Sequence, residues 1–173
     1  TRSIIINIGS NVDPLLPPDD ESVSVLAVEP VVPEMIPPRP RLFVLPAAIS
    51  DSSGIAMMTI LNTKGVSSSL SKPAVRSFWT RGKGVRAVPV VSMSALLASV
   101  PPDIQIGYIR TDMQGHDFGT LRSVGAELRR APYVTAETWF SNQFTYRGVD
   151  NDFCSNLLPH MISLGYDLAG VTM

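Results

Sequence analysis

Apolar residues fall along this chain in short unbroken runs. Ser3 to Ile8 is one, closed by Gly9, and Val23 to Val28 is another, closed by Glu29 and Pro30. Continuous apolar stretches of this length are the pattern of strands buried on both faces. Leu42 to Ile49, Ile104 to Thr111 and Tyr133 to Ala136 repeat it, each leading into polar residues. Strand candidates that end on polar or glycine residues favour an α/β fold with a mostly parallel, doubly wound sheet, which binds ligands at that edge. Ile55 to Leu61 and Val85 to Val91 read as further strands around a Ser- and Gly-rich loop.

Helical periodicity is confined to the second half. Ser92 can cap a helix carrying Met93, Leu96, Leu97 and Val100, stopped by Pro101 and Pro102. Asp117 can cap a longer one in which Phe118, Leu121, Val124, Gly125 and Leu128 share a face and Pro132 ends the run. A third starts at Asp152, turns Phe153, Leu157, Met161 and Leu164 inward and stops at Gly165, with Pro159 expected to kink it. The first half offers prolines instead: Pro14, Pro17 and Pro18 between the first two strands, then Pro30, Pro33, Pro37, Pro38 and Pro40. Each costs about 3 kcal/mol in a helix interior. Neither crossover is expected to hold an ordinary helix, so one face of the sheet is expected to be depleted of helices. An apolar face must be covered by something, and other protein subunits are the expected cover.

Composition narrows this only a little. With 173 residues, 45% of them hydrophobic and 17% charged, the chain suits one folded domain over 1–173. A formal charge of -1 gives no global attraction to nucleic acid or to a membrane. The only cysteine, Cys154, excludes an internal disulfide and any multi-cysteine metal site, and reads as a small core residue. No apolar run approaches the roughly 18 residues that cross a bilayer, so a soluble or peripheral protein is expected. Thr1 stands where an initiator methionine would, which reads as a processed N-terminus and leaves organellar import open.

Charge is unevenly spread. From Ser52 to Pro102 there is no acidic residue, while Lys64, Lys72, Arg76, Arg81, Lys83 and Arg86 are all present, with Phe78 and Trp79 among them. Such a segment suits an acidic partner or anionic headgroups. It forms no stripe or motif for nucleic acid, and a solvated loop or a protein contact is the plainer reading.

The strand ends carry the candidate chemistry. Asn7-Ile8-Gly9-Ser10-Asn11 follows the first run, Val28-Glu29-Pro30 the second, Ala47-Ala48 the third, and Arg110-Thr111-Asp112-Met113-Gln114-Gly115-His116-Asp117 the fourth. A glycine turn lets backbone approach a ligand, and an acid about 20 residues later can accept hydrogen bonds from ribose hydroxyls. In this order, with Glu137 after the fifth run, these motifs resemble the FkbM family of S-adenosylmethionine (SAM)-dependent methyltransferases from Ile4 to Trp139. Phe153 to Tyr166 is similar to that family's C-terminal helix and strand.

The resemblance implies a Rossmann-like class I methyltransferase fold that methylates a hydroxyl of a sugar or other small molecule. It implies SAM held by Gly9, Asn11, Glu29 and Asp112, with Asp112 and His116 at the transfer site and Gln114 and Glu137 lining the same mouth. His116 is the better base candidate, its ordinary pKa of about 6.5 suiting neutral pH. Plainer readings stand beside these: Glu29 as a solvated strand end, His116 as a loop histidine, Asp117 as a helix cap and His160 as a structural residue.

Several positions depart from the family pattern. Its second loop glycine falls on Asp13, which would bring a side chain and a negative charge to the SAM carboxylate. Pro14 removes the helix N-terminus that would favour that carboxylate. Asn7 replaces an acid, no helix precedes the first strand, and no clear final strand precedes Met173. The expectation is a methyltransferase-fold protein acting as a non-catalytic accessory or structural subunit of a larger assembly. The alternative is an active SAM-dependent O-methyltransferase.

Overall fold

The structure, a computed structural model, describes residues 2–61, 65–74, 82–140 and 146–172, with backbone alone for Gly82 and Lys83. In chain order the elements are β1 (Ser3–Ile8), β2 (Val23–Val28), β3 (Leu42–Leu45), β4 (Ala48–Ser50), β5 (Gly54–Leu61), β6 (Gly82–Ser92), α1 (Met93–Ser99), β7 (Gln105–Thr111), α2 (Asp117–Ser123), β8 (Val134–Ala136) and α3 (Leu158–Ser163). A five-stranded sheet runs β3-β2-β1-β7-β8, and every pair in it is parallel. The α/β fold with a mostly parallel sheet is therefore as expected.

The expected strand from Leu42 to Ile49 is instead two strands in two sheets. Pro46 has no N–H to give to a ladder, and Ala47 N–H turns back onto Leu45 O at 2.9 Å. The chain leaves the large sheet there, and β4 joins a three-stranded sheet of order β4-β6-β5, in which β5 and β6 form an antiparallel ribbon.

Period-two alternation gives the large sheet two different faces. Ile6, Ile8, Val28 and Ile109 pack against Met93, Leu96 and Leu97 of α1, Phe118 and Leu121 of α2, and Leu128 beyond it. The opposite face has no α-helix among the described residues. Over β1 to β3 it is covered by the chain's own proline-rich crossovers, whose Leu15 and Ile36 pack on Ile5, Val25, Ala27 and Leu42. Over β7 and β8 it is polar, with Tyr108 Oη donating to Thr135 Oγ1 at 2.8 Å. An apolar face left for another subunit to cover, as the prolines suggested, is not what these strands present.

Arg41 ties the first crossover down. Its guanidinium donates to the carbonyls of Pro18, Asp20 and Val23 at 2.6 to 2.8 Å. These bonds satisfy carbonyls that a crossover helix would have paired internally.

The helices depart from expectation in three places. Ser92 does cap α1, accepting from Ala95 N–H at 3.2 Å. The N-cap of α2 is His116 rather than Asp117, which is a fully buried first-turn residue. That helix ends at Ser123, and Gly125, at φ +52°, starts a separate 3-10 segment over Gly125–Arg130. Asp152 caps the last helical segment by accepting from Ser155 N–H at 2.8 Å, but Phe153–Leu157 winds as a π-turn before α3. Pro159, with no N–H for the carbonyl of Ser155, makes the wider turn the economical one. Cys154 lies in that turn and is exposed, so it is not a core residue. No strand follows Tyr166 among the described residues.

Candidate functional site

The strands of the large sheet all end at one edge, and the chain departs in opposite directions from β1 and β7, which opens a crevice between them. Gly9 turns at φ +72° and lies so close to the β7 end that a Cβ there would sit 1.9 Å from Asp112 O. Only glycine fits this position, and it pins the two strand ends together. The turn continues through Ser10 to Asn11, whose N–H donates to Glu29 Oε2 at 2.8 Å.

Glu29 is buried, and its other oxygen accepts from the N–H groups of Val31 at 2.6 Å and Val32 at 3.2 Å. It is therefore not a solvated strand end. A carboxylate offers about four acceptor positions, so these three backbone donors leave one toward the crevice. The crevice holds a cavity of about 100 Å³ with Val31, Ala47, Ala48 and Ile49 as apolar walls. Gly65 to Leu70, from the connection between β5 and β6, lie over it. A Cβ on Gly65 would come within 2.7 Å of Val31 Cγ1, so this roof is tightly seated.

Polar side chains gather on the β7 side. Gln114, at φ +52°, donates through Nε2 to Asp112 Oδ1 at 2.7 Å and to Glu137 Oε2 at 3.1 Å. Tyr146 Oη lies 2.9 Å from Gln114 Oε1 and 2.6 Å from Ser67 O, sharing its one proton between two acceptors. Burial, and then the charge of Asp112, pushes the Glu137 carboxyl up to about 8, so it keeps its proton at neutral pH. Complete burial pushes Asp117 up to about 7. His116 shares a 2.9 Å hydrogen bond with Ser71 Oγ through Nε2, and burial lowers its pKa from the ordinary histidine value, which keeps the ring neutral.

The expected site residues converge. Gly9, Asn11, Glu29, Asp112, Gln114 and His116 all line the one cavity, and Glu137 joins them through Gln114. Asp13 is exposed and does not line it. Asn7 points its Oδ1 at Leu15 N–H, 2.8 Å away, and serves the first crossover instead of the cavity. His160 stacks edge-on against Phe118 at 5.8 Å, away from the site.

Sequence reasoning missed Tyr146, Ser69 and Ser71, and the roof they help hold. Each comes from an irregular segment with no period or motif; the one available signal was the serine-rich run from Ser67 to Ser71. Beyond Asp112 a second groove of about 700 Å³ follows β8, bounded by Arg110, Glu137, Phe140, Phe153 and Tyr166. Among the described residues no group of three or more His, Cys, Asp or Glu could hold a metal ion. No helix among them is long and apolar enough to cross a membrane. Of the basic segment, Lys64, Arg76 and Arg81, with Phe78 and Trp79, lie outside the described residues. No protein-family model matches the chain, and neither a curated protein nor a solved structure matches it.

Proposed function

We propose that this chain binds SAM in the crevice and methylates a hydroxyl of an acceptor lying in the groove along β8. The observation that carries this is the convergence of Glu29, the Ala47 to Ile49 wall and Asp112, from three separate strand ends, on one cavity. The residues present fit the nucleoside end of the cofactor. Glu29 has one acceptor position left for a ribose hydroxyl, and Val31, Ala47 and Ile49 give the apolar walls that a flat base needs. When bound, SAM supplies an electrophilic methyl group. Asp112 stands where cavity and groove meet and can align the acceptor hydroxyl, while a neutral His116 can accept a proton at its ring nitrogen. The Gly65 to Leu70 roof excludes water.

Titration calorimetry with S-adenosylhomocysteine tests this. Micromolar binding is expected for the natural chain, lost in Glu29→Ala after circular dichroism has shown that variant folded, and unchanged in Asp13→Gly because Asp13 faces solvent. Absence of binding by the natural chain would overturn the proposal.

One observation favours the other reading, a non-catalytic accessory subunit built on this fold. The enclosed space of about 100 Å³ falls short of the roughly 300 Å³ at which small-molecule pockets begin. On that reading the roof is permanent packing, and no S-adenosylhomocysteine is taken up at any concentration.

A further inference from the structure

β8 is the edge strand of the large sheet, so its outer side meets no further strand of that sheet. The groove of about 700 Å³ runs along it, within the roughly 300 to 1,000 Å³ of small-molecule sites. Its apolar walls come from separate parts of the chain. Leu121 belongs to α2, Leu157 to the π-turn and Met161 to α3. Trp139 and Asp152 meet in a short parallel bridge, and Phe153 N–H donates to Trp139 O at 2.7 Å. That pairing sets Phe140 and Phe153 side by side, with ring centres 5.0 Å apart and planes tilted by 49°. Tyr166 adds a third ring, and its Oη lies 2.6 Å from the carbonyls of Leu128 and Ala131, which leaves the apolar body to the groove.

Charged groups on its border are few, and they offset one another. Arg110 and Asp112 stand 3.9 Å apart at the ends of β7 and beyond, and the neighbouring Glu137 keeps its proton at neutral pH. Asp167 is exposed and negative. Among the described residues that line the groove, no cation is therefore left over for an anionic ligand. A sugar is as poorly served, because each of its hydroxyls needs a partner once it leaves water. Thr138 Oγ1, beside these rings in the lining, is already spent on Asn151 O at 2.7 Å.

We propose that the groove along β8 binds an uncharged phenol of two or three rings, laid against Phe140, Phe153 and Tyr166 with its hydroxyl at Asp112. Ring pairs at such separations attract beyond the area they bury, which favours an aromatic body over an alkyl one. Asp112 has room for one more donor. Its carboxylate offers about four acceptor positions and spends one on Gln114 Nε2 and one on the proton of Glu137. A phenol also suits a site with no strong base, since its hydroxyl, with an ordinary pKa of about 10, is far easier to deprotonate than that of a sugar. That this phenol is the acceptor of the methyl group rests on the function proposed above; that the groove binds it does not.

Equilibrium dialysis of the full chain at neutral pH, with no methyl donor present, against 2-naphthol, naphthalene-2-sulfonate and methyl glucoside tests this. Micromolar retention of 2-naphthol is expected, with the sulfonate at least about tenfold weaker and the glucoside not retained. Phe140→Ala should bind 2-naphthol about fivefold more weakly. Phe140 is 38% exposed, so thermal unfolding of that variant should match the natural chain. Retention of 2-naphthol without uptake of S-adenosylhomocysteine would uphold the phenol site and overturn methyl transfer. Uptake of S-adenosylhomocysteine with no 2-naphthol retained would overturn the phenol site alone. The proposal also fails if the sulfonate binds as tightly as 2-naphthol, if the glucoside is retained, or if Phe140→Ala leaves 2-naphthol binding unchanged.

Discussion

Two glutamates close neighbouring corners of the crevice, and their surroundings treat them in opposite ways. Glu29, just after β2, accepts from three backbone N–H groups. Glu137, just after β8, spends its own N–H on Thr111 O and accepts from the side chain of Gln114, with Asp112 beside it. The cause is local. The turn at Pro30 folds the amides of Val31 and Val32 back onto Glu29, whereas no backbone amide among the described residues after Glu137 returns to its side chain. One corner therefore holds a fixed acceptor, and the other holds a proton that can be given up near neutral pH.

Breaking the link between the corners should have the largest effect. Gly9→Ala puts a methyl group into Asp112 O at positive φ and should cost on the order of 4 kcal/mol or prevent folding, as urea denaturation would show. Next comes the contrast between the glutamates themselves. Glu29→Ala strands three amides and should cost about 3 kcal/mol, while Glu137→Ala should cost under about 1 kcal/mol. Equal losses would mean that Glu137 is as much a part of the scaffold as Glu29.

A pH series sharpens the comparison further. The folded protein keeps a proton on Glu137 up to about 8, whereas the ordinary value is 4.5, so between these limits folding binds a proton that the unfolded chain has released. Stability should therefore fall as pH rises through that window, by at most about 1.4 kcal/mol per pH unit. Asp117, raised from 3.8 to about 7, adds in the same direction but is finished by neutrality. In Glu137→Gln the fall between pH 7 and 8 should be lost, which thermal melts across that range would detect. The smallest effect is expected for Tyr146→Phe, about 1 kcal/mol from the loosened Gln114, with no change at the Glu29 corner.

The strand ends were legible because they rest on local rules. β1 and β2 have the bounds that their apolar runs indicated, and Gly9, Glu29 and Asp112 follow them directly. The proline count correctly denied the first two crossovers a helix. It could not show that Leu15 and Ile36 would reach back onto the sheet, which depends on where an irregular chain goes. The split at Pro46 was lost because Leu42 to Ile49 is apolar throughout, and apolarity does not say which sheet a strand joins. Asp117 was read as a cap from its position before a helix. Its burial follows from packing that no short window contains, and Met113 N–H bonds its carboxylate instead. The roof and Tyr146 were invisible for the same reason: Tyr146 meets Ser67 only across 79 positions of chain.

The roof belongs to the ribbon sheet and is not a strand of the parallel one. Gly65 to Leu70 are held to β5 by the paired backbone bonds of Thr59 and Ser69 and by Leu61 N–H on Ser68 Oγ, and to the far side of the crevice by Ser69 Oγ on Gln114 O and Tyr146 Oη on Ser67 O. Lifting it breaks these few contacts and no bond of the five-stranded ladder. Entry and exit of whatever occupies the cavity would then be gated by a loop-opening frequency rather than by diffusion. Ser69→Ala should raise association and dissociation rates together, leaving their ratio nearly unchanged.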